Sequence, residues 1–133
     1  MGGSKLKNAP VISIVEDDES VRVAMKEMVE SFGYRAAAFA SGAEFLASEL
    51  LSDGACLIAD VRMPGMSGLD LHDQLIASGH SIPTIFVTAF PEESDRRRAM
   101  KSGAVAYLSK PCRRDDLLAH LRAAFAMQSP RGK

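Results

Sequence analysis

The chain has 133 residues, which is enough for one compact domain and leaves no room for a second domain of ordinary size. Hydrophobic residues make up 47% of the sequence and charged residues 25%, as in an average globular protein, and the apolar runs are too short to cross a bilayer. The formal net charge of −1 argues against a protein that binds nucleic acid through bulk electrostatics.

Targeting and redox features predict a cytoplasmic protein. Residues 1–7 lack the apolar core of a signal peptide. Cys56 and Cys112 have neither CxxC nor metal-binding spacing, which agrees with a reducing compartment. We expect Cys56 to be a buried structural thiol.

Five short apolar runs predict strands. The first, VISIV, is rich in β-branched residues and is typical of a strand that is buried on both faces, whereas the second is weaker. The strands are predicted at residues 11–15, 34–39, 55–59, 82–87 and 105–109.

The stretches between these runs carry apolar residues three or four positions apart and predict five helices. Asp18 is a favoured cap for the first helix. The pairs Ser41–Glu44 and Ser67–Asp70 are capping-box signatures at the beginning of the second and third helices.

The fourth helix, predicted at residues 91–102, has little apolar surface. Only Ala99 and Met100 are candidates for the core, so we expect this helix to be weakly anchored. The run Arg96–Arg98 is most simply a solvated face, and a partner-binding face is the alternative. The last helix has an apolar stripe that begins at Leu117.

Five strands that alternate with five helices predict an α/β fold, in which helices cover both faces of a parallel sheet. A closed barrel would need eight repeats, so we expect an open, doubly wound sheet. The domain is predicted to span residues 10–127. Residues 1–9 are expected to be a disordered tail or a remnant of cloning, and residues 128–133 a C-terminal tail.

Polar residues follow four of the five predicted strands. Glu16 and Asp17 follow the first strand, Asp60 the third, Thr88 the fourth and Lys110 the fifth. Ligands of open parallel sheets bind beyond the carboxyl ends of the strands, so we expect these side chains to form one site. Crowded carboxylates repel each other, and Mg²⁺ relieves that repulsion with the oxygen ligands that it prefers.

Asp60 is the best candidate for a nucleophile in this site. It is predicted at the centre of the crevice, and the Pro- and Gly-rich loop at residues 61–68 would leave its oxygens approachable. Thr88 could donate its hydroxyl to one oxygen of a phosphoryl group, and Lys110 could neutralise another. The predicted chemistry is phosphoryl transfer to Asp60.

Four motifs stand at the ends of four predicted strands, namely IVEDD, IADVRMPGMSG, FVTAF and AYLSKP. One of these motifs alone would be weak evidence. Together they resemble the receiver domain of two-component response regulators, across residues 10 to about 127. The resemblance implies a flavodoxin-like fold with strand order 2-1-3-4-5.

The resemblance also assigns roles to single residues. It implies that Mg²⁺ is held by Asp17, Asp60 and the backbone carbonyl of Arg62, with Glu16 acting mostly through water. It further implies that Thr88 and Tyr107 are switch residues and that the peptide bond before Pro111 is cis. In isolation Asp17 could merely cap a helix, Thr88 could merely end a strand, and Tyr107 could belong to the core.

The function implied is a phosphoacceptor and not an enzyme with an outside substrate. A sensor histidine kinase or a phosphotransfer protein would supply the phosphoryl group, with Mg²⁺ as cofactor. Phosphorylation would switch a partner-binding or homodimer face made by the fourth helix, fifth strand and last helix. The phrase DVRMPGMSGLDL resembles receivers of LuxR-type regulators, but we expect this chain itself to bind neither nucleic acid nor a membrane. One departure from the family is Cys112, where receivers commonly have an aromatic residue.

Two other functions are compatible with such a fold. A flavodoxin-type flavin binder needs a first loop that cradles a phosphate, and the acidic run at residues 16–19 would repel it. A hydrolase with an aspartyl-phosphate intermediate would need a second acid two residues after Asp60, where this chain has Arg62.

Overall fold

The computed structural model describes residues 10–53 and 55–128. In this part of the chain, five parallel strands form one sheet in the order β2-β1-β3-β4-β5. The strands are β1 (Val11–Val15), β2 (Arg35–Phe39), β3 (Cys56–Asp60), β4 (Thr84–Thr88) and β5 (Ala106–Ser109). The helices are α1 (Glu19–Ser31), α2 (Gly42–Leu46), α3 (Leu50–Asp53), α4 (Gly68–Ala77), α5 (Glu93–Lys101) and α6 (Arg114–Gln128).

The predicted flavodoxin-like α/β fold and its strand order are confirmed. One local difference is that the second predicted helix is divided into α2 and α3. Ala47 ends α2, and the Ser48 hydroxyl donates to the Phe45 carbonyl at 2.7 Å. That local hydrogen bond competes with continuation of the helix.

The limits of the domain remain a prediction. The tail predicted at residues 1–9, and residues 129–133 of the tail predicted at residues 128–133, lie outside the described residues. Gln128, which the sequence placed in the C-terminal tail, is the last residue of α6.

The two faces of the sheet carry separate cores, as expected for a parallel sheet covered on both sides. Every residue of β3 and β4 is buried. The core beside α1 and α6 comprises Ile12, Ile14, Val29, Cys56, Ile58, Ile85, Val87, Ala106, Leu117, Leu121 and Ala124. The core on the other face comprises Val15, Phe45, Leu57, Ala59, Val61, Leu69, Leu71, Leu75, Phe86, Ala99 and Ala104.

Helix α5 contributes less to these cores than the sequence predicted. Ala99 is buried, but Met100 is 41% exposed, so its assignment to the core is wrong. The reason is helical geometry, because adjacent residues on a helix point about 100° apart and only one of them can face the sheet. Cys56 is fully buried, as expected, and burial raises the pKa of its thiol to about 12.

No helix within residues 10–53 and 55–128 has both the length and the apolar character that a bilayer crossing requires.

Candidate functional site

Three carboxylates meet at the carboxyl edge of the sheet. Glu16 and Asp17 follow β1, and Asp60 is the last residue of the neighbouring strand β3. Each offers an oxygen that lies within 4.8 Å of the other two. Glu16 and Asp60 are buried, whereas Asp17 is exposed. A set of carboxylate oxygens at this spacing fits a hard divalent cation such as Mg²⁺.

Lys110 brings the positive charge to this cluster. Its Nζ lies 2.5 Å from Glu16 Oε1 and 3.3 Å from Asp60 Oδ2. Burial alone would lower the pKa of Lys110, but the hydrogen bond from Lys110 to Glu16 and the charge of Asp60 outweigh burial and raise that pKa. Lys110 is therefore a fixed cation between two acids.

Burial also governs Glu16, whose pKa is raised although Lys110 and the Asp18 backbone N–H donate to it. The nearby charge of Asp60 acts in the same direction as burial. Both pKa values in the Lys110–Glu16 pair are raised, that of Glu16 mainly by burial and that of Lys110 by its contacts with Glu16 and Asp60.

The loop after β1 is arranged by two residues that take no part in the cluster. The Arg22 guanidinium donates to the carbonyl of Glu16 at 2.9 Å and to that of Asp17 at 3.3 Å. Asp18 accepts from the Val21 backbone N–H at 3.0 Å and caps α1, as predicted. Because Asp18 serves as the cap, the cap-only interpretation of Asp17 loses its basis.

Thr88 is fully buried at the end of β4, beside β3. Asp60 pairs with Val87 in the register of the two strands, so Thr88 stands one residue beyond the level of Asp60. The Phe90 backbone N–H donates to Thr88 Oγ1 at 3.2 Å. The backbone N–H of Lys110 donates to the Thr88 carbonyl at 2.8 Å, which ties the two residues together.

The loop after Asp60 folds back against it. The Arg62 backbone N–H donates to Asp60 Oδ1 at 3.3 Å, and the Gly68 N–H donates to the Val61 carbonyl at 3.1 Å. A Cβ at Gly68 would lie 2.1 Å from the Asp60 carbonyl oxygen, so only glycine fits. The sequence pattern assigned Gly68 only to the Pro- and Gly-rich loop at residues 61–68 and did not predict this close approach.

The remaining residues of interest surround the cluster. The Lys110–Pro111 peptide bond is cis, the geometry that the resemblance implied. The Tyr107 ring is half-buried, and its hydroxyl accepts from the Glu92 backbone N–H at 3.2 Å. Cys112 is half-buried and lines a groove of about 380 Å³ with residues of α1.

Two groups of ion pairs that join α5 to other segments were not predicted. The Arg62 guanidinium lies 2.6 Å from Asp95 Oδ2 and 2.9 Å from Glu92 Oε1. The Arg98 guanidinium lies 3.0 Å from Asp70 Oδ1 and 2.8 Å from Asp73 Oδ2 on α4. These pairs join distant segments, and their spacing along the sequence gives no sign of them.

The basic run Arg96–Arg98 is therefore only partly the solvated face that we expected. The Arg98 guanidinium donates hydrogen bonds to Asp70 and Asp73 within the molecule. Arg96 and Arg97 contact Glu93 of their own helix, at 2.6 and 3.9 Å.

Comparison with known proteins agrees with this geometry. The family model described as the response regulator receiver domain matches residues 12–122. The response regulator protein TodT of Pseudomonas putida is 41% identical over 119 residues, which is 90% of this chain and 52% of TodT. Nodulation protein W of Bradyrhizobium diazoefficiens is 39% identical over 92% of this chain and 54% of its own length. The chain thus spans about half the length of these relatives.

Solved structures give the same result. The response regulator StyR superposes with a TM-score of 0.83 at 35% identity, over 90% of this chain and 60% of the StyR chain. The crystal structure of FixJ-N superposes with a TM-score of 0.80 at 30% identity, over 88% of this chain and 94% of the FixJ-N chain.

Proposed function

This chain belongs to the response regulator receiver domain family, and on that premise we propose that Asp60 is the residue that accepts a phosphoryl group from a histidine kinase or phosphotransfer protein. The observation that carries the proposal is the meeting of Asp60 with Glu16, Asp17 and Lys110 at the end of the central strand. The buried Thr88 hydroxyl on the adjacent strand completes a set of groups suited to phosphoryl transfer.

The transfer step needs little from the protein besides position and charge. A carboxylate oxygen of Asp60 forms a bond to phosphorus, and the bond from phosphorus to the donor's nitrogen or oxygen breaks. The donor keeps that electron pair and takes up a proton from solvent. Lys110 neutralises the charge on one side of the phosphoryl group, and the Thr88 hydroxyl donates to one of its oxygens.

Mg²⁺ is the cofactor that these residues suit. The carboxylates of Asp17 and Asp60 and the backbone carbonyl of Arg62 would hold it, with Glu16 acting mostly through water. When bound, Mg²⁺ supplies charge neutralisation at the phosphoryl oxygens. Glu16 already forms an ion pair with Lys110, which supports a contact between Glu16 and Mg²⁺ through water and not a direct one.

In this proposal the chain catalyses only its own phosphorylation and dephosphorylation, in the cytoplasm. Two free cysteines, Cys56 and Cys112, agree with a reducing compartment. Relatives include proteins named as transcriptional regulatory proteins, among them FixJ of Azorhizobium caulinodans, which is 33% identical over 92% of this chain. We therefore place the output in regulation of transcription, through a partner or homodimer face made by α5, β5 and α6.

The proposal is tested by intact mass analysis after incubation with acetyl phosphate and Mg²⁺. The expected result is one added phosphoryl group on the wild type and none on Asp60→Asn. Removal of Mg²⁺ with a chelator should suppress uptake. Equal uptake by Asp60→Asn would overturn the assignment.

A further inference from the structure

Helix α5 is held in place mostly by contacts from other segments. Ala99 is the buried residue that it contributes to the core. Its N-cap residue, Glu92, makes no side-chain capping hydrogen bond. A helix with one buried residue and no side-chain cap lies at the low-stability end of a fold, so outside contacts decide its position.

Arg62 supplies such a contact at the N-terminal end of α5. Its guanidinium lies 2.6 Å from Asp95 and 2.9 Å from Glu92, within hydrogen-bonding distance of both carboxylates. The Asp95 side chain is only 16% exposed, whereas that of Glu92 is 58% exposed. Asp95 is therefore the stronger anchor, because partly buried pairs are less screened by water.

The same residue touches Asp60 through its backbone. The Arg62 N–H donates to Asp60 Oδ1 at 3.3 Å, and only Val61 separates the two residues in the chain. One residue thus contacts the acceptor carboxylate with its main chain and α5 with its side chain. Arg62 therefore connects Asp60 directly to α5.

We infer that Arg62 is a positioning residue that ties the charge state of Asp60 to the position of α5 through its ion pair with Asp95. This inference rests on the proposed phosphorylation of Asp60. A phosphoryl group carries a charge of about −1.5 to −2 at neutral pH and three acceptor oxygens. These oxygens compete with Asp95 and Glu92 for Arg62, so phosphorylation releases the first turn of α5.

The test is hydrogen exchange of the α5 amides in the full chain, with and without excess acetyl phosphate and Mg²⁺. In the wild type, phosphorylation should speed exchange at residues 93–98 by about two- to fivefold, the range expected when an exposed ion pair is lost. In Asp95→Asn these amides should exchange faster before phosphorylation and respond little to it. Asp95→Glu should restore much of the response, because it retains the carboxylate.

Two variants on the same helix are matched controls. Arg96→Gln removes a pair within α5, and Arg98→Gln removes the contacts to α4, but neither touches the loop after Asp60. Both should keep the phosphorylation-dependent change, although Arg98→Gln should raise the basal exchange rate. A purely structural role of Asp95 would shift the basal rate in the same way and leave the response intact.

Intact mass analysis of the same samples separates the two possible failures. Absence of the added phosphoryl group overturns the proposed function and this inference with it. A phosphorylated wild type with unchanged α5 exchange overturns the inference alone. So does an Asp95→Asn response equal to that of the wild type.

Discussion

At the scale of single residues, the backbone beneath Asp60 depends on Gly68. The Gly68→Ala variant should lower the free energy of unfolding by at least about 2 kcal/mol, because its Cβ would lie 2.1 Å from the Asp60 carbonyl oxygen. Urea denaturation measures this change. Gly42→Ala is the control, since the atoms nearest to a Cβ there belong to the flexible side chains of Met66 and Leu71. Equal stabilities of the two variants would contradict the account.

Asp17 and Asp18 are neighbours with separate expected roles. Asp17→Ala should weaken Mg²⁺ binding by about tenfold or more, because it removes a carboxylate from the cluster with Glu16 and Asp60. Calorimetric titration with Mg²⁺ measures the affinity. Asp18→Ala should cost about 1 kcal/mol of stability, because Asp18 caps α1, and should leave the affinity close to that of the wild type. The metal assignment is wrong if Asp17→Ala binds Mg²⁺ as the wild type does.

At the scale of elements, α4 carries a buried titratable group against the sheet. His72 is 5% exposed, and its ring packs edge-on to Phe86 with 5.5 Å between centroids. Burial lowers the pKa of His72 below its ordinary value of 6.5, although the charge of Asp73 opposes the shift. The unfolded chain therefore binds a proton at a higher pH than the folded one does.

This shift predicts the direction of the pH dependence. The contribution of His72 should be fully present above about pH 6.5 and be lost as the pH falls towards the lowered folded pKa. Urea denaturation at about pH 8 and about pH 5 should show that the difference in stability between the wild type and His72→Gln shrinks in acid. The control His120→Gln, on α6, should retain the loss seen in the wild type. A difference that grows in acid would contradict the prediction.

The sequence predicted the elements better than it predicted the contacts between them. Strands and helix caps depend on local sequence patterns, so the end of β3 at Asp60 and the helix cap at Asp18 could be predicted from the sequence. The partners of Arg98 lie 25 and 28 residues away in the chain, and only the fold brings them together. The break between α2 and α3 coincides with a hydrogen bond from the Ser48 hydroxyl to the Phe45 carbonyl, which the apolar pattern of the sequence does not indicate.

The site could be predicted for a related reason. Carboxyl ends of parallel strands share one edge, so polar residues at those ends had to converge, and Glu16, Asp17, Asp60 and Lys110 do so. The contacts of the Arg62 side chain with Asp95 and Glu92 could not be predicted, because a side chain in a Pro- and Gly-rich loop gives no sign of which residues it will contact.

At the scale of the whole molecule, strand order determines how the site reaches the rest of the protein. Strand β3 is flanked by β1 and β4, so Asp60 stands at the centre of the edge, between the acids of β1 and Thr88 of β4. Lys110 enters from β5, the last strand in the order. Asp95 of α5 contacts Arg62, which stands two residues after Asp60, so the α5 side of the molecule lies next to the proposed phosphoryl site.

The most direct test of the central claim is to locate the phosphoryl group in the chain. After incubation with acetyl phosphate and Mg²⁺, borohydride reduces an aspartyl-phosphate to homoserine, and tandem mass spectrometry of peptides identifies its position. The account predicts homoserine at residue 60 and intact aspartate at Asp17 and Asp18. Homoserine at another aspartate, with Asp60 unchanged, would contradict it.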